Sequence, residues 1–171
     1  KYPFCRICHQ YNRIKMQIKP LSQISPEDLY MSFNEAFKDY ARAWTKTEFE
    51  NMLRRRGYVS ELSFGAFDKD KLVSYTLNCF GTFNNKATVY DTGTGTIEKY
   101  RGQGLATKIF EASHPTLVKA GGQQYLLEVL TTNTKAISVY TKLGFKVNRT
   151  LNYFVKEVTE IKNVSQQELP G

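Results

Sequence analysis

The sequence is poor in the residues that bind metals and staple small folds. It has three cysteines, Cys5, Cys8 and Cys79, and two histidines. So sparse and odd a set argues against a disulfide framework and fits a reducing compartment, so a cytoplasmic location is expected. "CRICH" fits the C-x-x-C-H pattern of haem attachment and half of a zinc site. A structural zinc wants four ligands, and only Cys79 and His114 remain to complete it, so neither haem nor metal is expected. No apolar run reaches the roughly 20 residues of a membrane-crossing helix, and no signal-peptide pattern is visible. A membrane partner is therefore not expected. No Walker-type G-x-x-x-x-G-K-[ST] segment and no internal repeat occurs.

Acidic residues are also short, 16 against 24 lysines and arginines, which leaves a formal net charge of +8. Such a field attracts polyanions without saying which. Nucleic acid is one class. Yet no aromatics alternate with basic residues as a base-stacking platform, so a basic nucleic-acid-binding protein is only an alternative and no nucleic-acid partner is expected. The run Arg54 to Arg56 reads as a solvated helix end favoured by the dipole.

What the chain does contain is enough apolar residues for one core. "RIKMQIKP" alternates as a half-buried strand stopped by Pro20. "SPEDLYMSFNEAF" and "TKTEFENMLRRRG" carry helix caps and apolar stripes. "ELSFGAFDKDKLVSYTLNCFG" reads as a hairpin about "DKDK", and a turn at Asn84 and Asn85 leads to a third strand. That strand holds "DTGTGT", with glycines where large side chains are usual, the mark of a bulge or of a closely approached backbone. A helix follows "YRGQG", with a kink expected at Pro115. Then come the apolar strand "QYLLEVL", the helix "TTNTKAISVYTKLGF" and one or two strands in "FKVNRTLNYFVKEV". The expected fold is α/β, in the α+β sense, with a mixed sheet flanked by helices. The expected organisation is an N-terminal extension over 1–12, one domain over 13–158 and a tail over 159–171.

The stretch "IEKYRGQGLATKIF" places Gly102 and Gly104 between a strand and a helix. It fails the dinucleotide fingerprint, because Thr107 takes the third glycine position of G-x-G-x-x-G. A plain turn would explain the glycines. A second reading is a nest of main-chain amides from Gly102 to Ala106 at a helix start, suited to a diphosphate, with Arg101 adding a charged fork. The strand before it exposes an approachable backbone. Coenzyme A has both a diphosphate and an amide-bearing arm.

"TIEKYRGQGLA" together with "YLLEVLTTNTKAISVYTKLGF" resembles the GCN5-related N-acetyltransferases. Their motif Q/R-x-x-G-x-G/A reads Lys99 to Gly104 here, with Lys99 in the first place and Glu98 where many members have proline. The resemblance implies a bulged strand that splays from its neighbour to form a cofactor cleft, with acetyl-CoA as cosubstrate. It implies backbone contacts to pantetheine from Thr96 and Ile97. It places the diphosphate on Gly102, Gln103, Gly104, Leu105 and Ala106, and Asn133 and Tyr140 beside the pantetheine and the thioester sulfur.

An N-acetyltransferase acting by direct attack of a primary amine is the expected function. In it a strand amide near Thr96 or Ile97 steadies the oxyanion and Tyr140 is the general acid. Glu128, an acid within an apolar strand, and Asp91 are the candidate bases, with Glu128 preferred. Asp91 also fits a local turn, Tyr140 a packing role and Asn133 a helix cap. A non-catalytic acyl-CoA-binding or sensing domain is the alternative. The acceptor, a small molecule or a peptide, is left open, and a homodimer is compatible with the sequence.

Overall fold

The computed structural model describes residues 16–39 and 43–155. "CRICH", the first residues of the expected opening strand, Tyr40 and the expected tail lie outside them. The elements run β1 (Gln17–Pro20), α1 (Pro26–Ala36), α2 (Lys46–Arg56), β2 (Phe64–Asp68), β3 (Lys71–Phe83), β4 (Lys86–Thr96), α3 (Leu105–Lys119), β5 (Gln124–Leu126) and α4 (Thr134–Lys142). They form one mixed sheet ordered β1-β2-β3-β4-β5. Every neighbouring pair is antiparallel except β4 and β5, which run parallel.

Local chemistry accounts for the boundaries. The Ser25 hydroxyl accepts the Asp28 N–H at 3.0 Å and Pro26 fits the first turn of α1. Thr45 and Glu48 close a capping box on α2, and Gly57 ends it with φ of 70°. Asn84 and Asn85, with φ of 51° and 59°, make the two-residue turn whose twist suits a hairpin. β3 is the spine of the molecule, with Leu72 to Cys79 buried throughout.

β3 and β4 present different chemistry on their two faces, because side chains alternate along a strand. One face carries Val73, Tyr75 and Leu77 against Phe33, Ala36 and Phe49 of α1 and α2. Tyr75 lies over Gly95, where a Cβ would run into its phenol and against Ala36. The other face carries a polar stripe. Ser74 meets Thr96 at 2.7 Å and Thr76 meets Thr94 at 3.0 Å. The buried Asn78 amide group donates to the Leu62 carbonyl and accepts from the Tyr125 hydroxyl at 2.7 Å.

α3 runs with Pro115 inside it to Lys119, just before "AGG". Two expectations are corrected. "QYLLEVL" is a strand only over its first three residues, Gln124–Leu126. Residues 145–155 contain no strand. β5 offers an edge of three residues, too short a ladder to order a long partner by main-chain bonds, and Val147, Leu151, Tyr153 and Phe154 are exposed.

Candidate active site

The site begins with a break in register. Leu77 pairs with Gly93 but Asn78 pairs with Asp91, which leaves Thr92 as the extra residue of a bulge in β4. β5 pairs with β4 only from Thr88 to Tyr90. Beyond Tyr90 the two strands part, so the far edge of β4 from Asp91 to Thr96 has no strand beside it among the described residues. The Ile97 N–H donates to the Val73 carbonyl at 2.9 Å. Main-chain groups alternate in direction, so those of Thr94 and Thr96 point to the open edge.

This corrects one expectation. Ile97 cannot offer its backbone to a ligand in this arrangement, because its N–H is held by Val73 and its carbonyl accepts the Tyr100 N–H. Thr96 keeps the expected position, with its carbonyl held by Arg101 Nε at 3.1 Å. Thr94 joins it.

The open edge leads to the glycine turn. Gly102 and Gly104 have φ of 77° and 70°, values that a side chain would strain. Open space lies where their Cβ atoms would be. Gly104 stands at the N-terminus of α3 with no side chain capping it. The amides of Gly102, Gln103, Gly104, Leu105 and Ala106 have no hydrogen-bond partner within the described residues. A helix start ordinarily leaves such donors for a cap or an anion.

The Arg101 side chain is not the charged fork expected there. It donates to the Ala36 carbonyl at 2.9 Å and to Thr96, and pairs with Asp39 at 3.5 Å. The last carbonyls of α1 need donors, and Arg101 supplies one while locking α1 against the end of β4.

At the other end of the cleft Tyr140 of α4 comes to Asp91. Its hydroxyl donates to Asp91 Oδ2 at 3.5 Å. The same carboxylate accepts the Thr94 hydroxyl at 2.6 Å and the Gly93 N–H at 2.8 Å. Burial pushes the Asp91 carboxyl up to about 6, against the opposing pull of the Thr94, Gly93 and Tyr140 donors. Burial first, then the Asp91 charge, pushes the Tyr140 phenol well above its ordinary value. Tyr140 packs edge-on against Phe145, which also meets Phe110 and Tyr125. Asn133 caps α4 by accepting the Ala136 N–H at 3.1 Å.

Glu128 stands elsewhere. The expectation of an acid inside an apolar strand fails, because β5 ends at Leu126 and Glu128 is exposed two residues further on. It lies beside Tyr90, whose phenol is pushed up by burial and then by the Glu128 charge. Arg56 is also more than a solvated helix end. Its guanidinium donates to the Thr92 carbonyl at 3.0 Å and to the Thr92 hydroxyl at 2.9 Å, fixing the bulged residue from α2. No group of three His, Cys, Asp or Glu side chains placed to hold a metal ion occurs among the described residues, and none of their helices is long and apolar enough to cross a membrane.

A splayed parallel pair, a bulged strand and a bare helix start occur together in a known architecture. Residues 27–145 match the family model described as Acetyltransferase (GNAT) family. The chain belongs to that family. It is 26% identical over 151 residues to N-alpha-acetyltransferase 30 of Schizosaccharomyces pombe, covering 86% of each chain. Its fold resembles that of a NatC complex bound to Gag peptide and CoA, with a TM-score of 0.61, 18% identity and coverage of 75% of this chain and 82% of that one. It also resembles AAC(6')-Iy in complex with the bisubstrate analogue CoA-S-monomethyl-acetylneamine, with a TM-score of 0.65, 15% identity and coverage of 83% and 98%.

Within this GNAT fold, the sequence pointed to the glycine turn and to Tyr140 but not to three residues that the structure sets around the bulge and its neighbouring strands. Arg56 gave no signal, because nothing local separates a helix-end arginine that reaches a strand from one that does not. Thr94 was visible only as an alternate residue of "DTGTGT". Tyr125 looked like one more apolar residue of its strand, whereas its hydroxyl is spent on buried Asn78.

Proposed function

We propose that this GNAT protein transfers the acetyl group of acetyl-CoA to a primary amine by direct attack. One observation carries the reading: the open edge of β4 from Asp91 to Thr96 leads, across the short helical turn Glu98–Tyr100, to the unpartnered amides of Gly102 to Ala106. An amide-bearing chain with a diphosphate at one end has the chemistry for both. The diphosphate would lie on the helix start, drawn by the amides and the dipole. The pantetheine amides would pair with the Thr94 and Thr96 backbone as an added strand, and the thioester would reach the bulge beside Tyr140.

There a neutral amine attacks the thioester carbonyl. A β4 main-chain N–H steadies the oxyanion. Tyr140 gives its proton to the departing sulfur, a step worth roughly 10²–10⁴ in rate. Glu128, exposed beside Tyr90, takes the proton of the amine directly or through water. Holding both reactants in one cleft supplies much of the remaining acceleration.

The α-amine of a peptide is the first acceptor to test, supported by the likeness to N-alpha-acetyltransferase 30 and to the peptide-bound NatC complex. A small polyamine-like sugar is the second, supported by the AAC(6')-Iy likeness. The test is acetyl-CoA consumption with mass detection of product, using free and Nα-blocked peptides beside a panel of small amines. A product 42 Da heavier on free peptides alone supports the first. Tight coenzyme A binding with no acetylated product on any amine refutes the enzyme and favours an acyl-CoA sensor.

A further inference from the structure

We propose that Asp91 is the positioning residue behind Tyr140, returning to the phenol the proton that Tyr140 passes to the departing sulfur. The inference rests on the acetyl-transfer reading and goes beyond it, because the reaction as proposed above needs no carboxyl at this place.

The bulge is what puts Asp91 there. In an unbroken ladder continued from Leu77 and Gly93, Asp91 would pair with Cys79, and its side chain would face α1 and α2. The extra residue Thr92 moves it one step, opposite Asn78, and turns it to the face of Thr94 and Tyr140. Arg56 holds Thr92 from the other side of the strand, so the displacement is braced. On the Tyr140 face the carboxyl is fixed by two short bonds, from Thr94 at 2.6 Å and Gly93 at 2.8 Å. Asp91 is only 9% exposed. A buried carboxyl braced in this way has a cost, and the placement directly behind the general acid gives it a use.

The proton count closes. A phenol has one proton. When the carbon–sulfur bond breaks, the sulfur takes that proton and leaves Tyr140 as a phenolate. Its conjugate acid is held well above the ordinary range by burial and by Asp91, so the phenolate takes a proton from the nearest acid. Neutral Asp91 supplies it through Oδ2. The carboxylate then regains, through solvent, the proton that the amine nitrogen lost. The net change is one amide and one thiol from one amine and one thioester.

The other titratable or charged groups near Asp91 are Tyr75 and Cys79 of β3, Tyr90 of β4, Tyr125 of β5 and Arg56 of α2. Burial holds the three phenols and the thiol in their neutral form, and the Arg56 guanidinium is spent on Thr92. Among these groups the Asp91 carboxyl, raised to about 6, is the acid poised for exchange near neutral pH. A thioester covering the bulge removes more water and pushes it higher.

The experiment is a double-mutant cycle on the full chain with Asp91→Asn and Tyr140→Phe, read as kcat and acetyl-CoA KM across pH. Asp91→Asn is expected to lower kcat by about 10- to 100-fold with KM within about twofold, to abolish the high-pH fall of kcat, and to add nothing on top of Tyr140→Phe. Losses that multiply would overturn the inference, since Asp91 would then act on its own. Thr94→Val is the second variant, should Asp91→Asn fail to fold. It removes one donor to the carboxylate and is expected to move the high-pH fall upward by about one pH unit. A fall that stays in place counts against the inference.

A third reading separates this inference from the reaction itself. Carbon NMR of the Asp91 carboxyl needs no turnover. Its midpoint is expected near 6 in the wild type and higher in Tyr140→Phe, which lacks a donor to the charged form. An unchanged midpoint would sink the coupling even in an active enzyme, whereas a wild type that acetylates nothing would sink the proposed function.

Discussion

At one end of the cleft, Gly102 to Ala106 follow one another in the chain and, on the proposed reading, would act through main-chain amides. At the other, Asp91 and Tyr140 lie 49 residues apart and would act through side chains. The first needs a local backbone shape and nothing else, and two positive φ values provide it. The second needs a bulge, an arginine from α2 to brace it, a splayed β5 and the placement of α4. In the proposed reaction, binding chemistry would come from conformation that a few adjacent residues determine, and reaction chemistry from packing across the molecule.

Breaking the comparison at its reactive end gives the largest expected effect. Tyr140→Phe is expected to lower kcat by about 10²–10⁴ while acetyl-CoA KM changes little, measured by steady-state kinetics across pH. A KM effect without a kcat effect would move Tyr140 from the chemistry to the binding half.

Next is the pH dependence of stability. Burial raises Asp91 in the folded protein from 3.8 to about 6, so folding favours its neutral form. That contribution is whole below about 4 and lost as pH rises through about 6, a difference of order 3 kcal/mol. Denaturant titrations should show wild type losing stability across this window relative to Asp91→Asn. Parallel curves would mean the carboxyl is not buried as described.

At the binding end, Gly104→Val has to hold φ near 70° and crowds the helix start. Coenzyme A affinity is expected to fall about a hundredfold, the worth of one or two charge-assisted amide bonds, with the unfolding midpoint lowered by a few degrees through the strain of a β-branched residue at positive φ. Equilibrium titration with coenzyme A checks it, and unaltered affinity in a folded variant would dismiss the nest. The smallest effect sharpens the boundary between the halves. Asn133→Ala removes the cap on α4 and should cost about 1 kcal/mol of stability, with kcat falling only as far as Tyr140 is displaced.

Much of the fold was legible because its signals are local. Ser25 and Pro26 announce α1, the Phe49, Met52 and Leu53 stripe with Gly57 as its stop announces α2, and Asn84 and Asn85 force a hairpin turn. The glycine turn before α3 was legible for the same reason. Glu128 shows the limit. An acid in "LLEVL" looks buried by its neighbours, but burial depends on how far β5 continues, and β5 stops at Leu126. Arg101 shows it again: a basic residue beside a glycine turn looks like part of the turn, yet it donates to the carbonyl of Ala36, 65 residues away.

By itself the sequence determined which segments are helix or strand through β4 and α3, that one sheet holds them, and that a glycine-rich helix start follows a weakened strand. These follow from residue-level conformational preference and from apolar spacing, which act over a few residues. Tertiary structure alone decided that Asp91 rather than Glu128 meets Tyr140, that Arg56 braces the bulge, and that the Ile97 amide is already taken. The register between β3 and β4 is the physical reason: a shift of one residue turns a side chain to the opposite face, and only the paired strand fixes that shift.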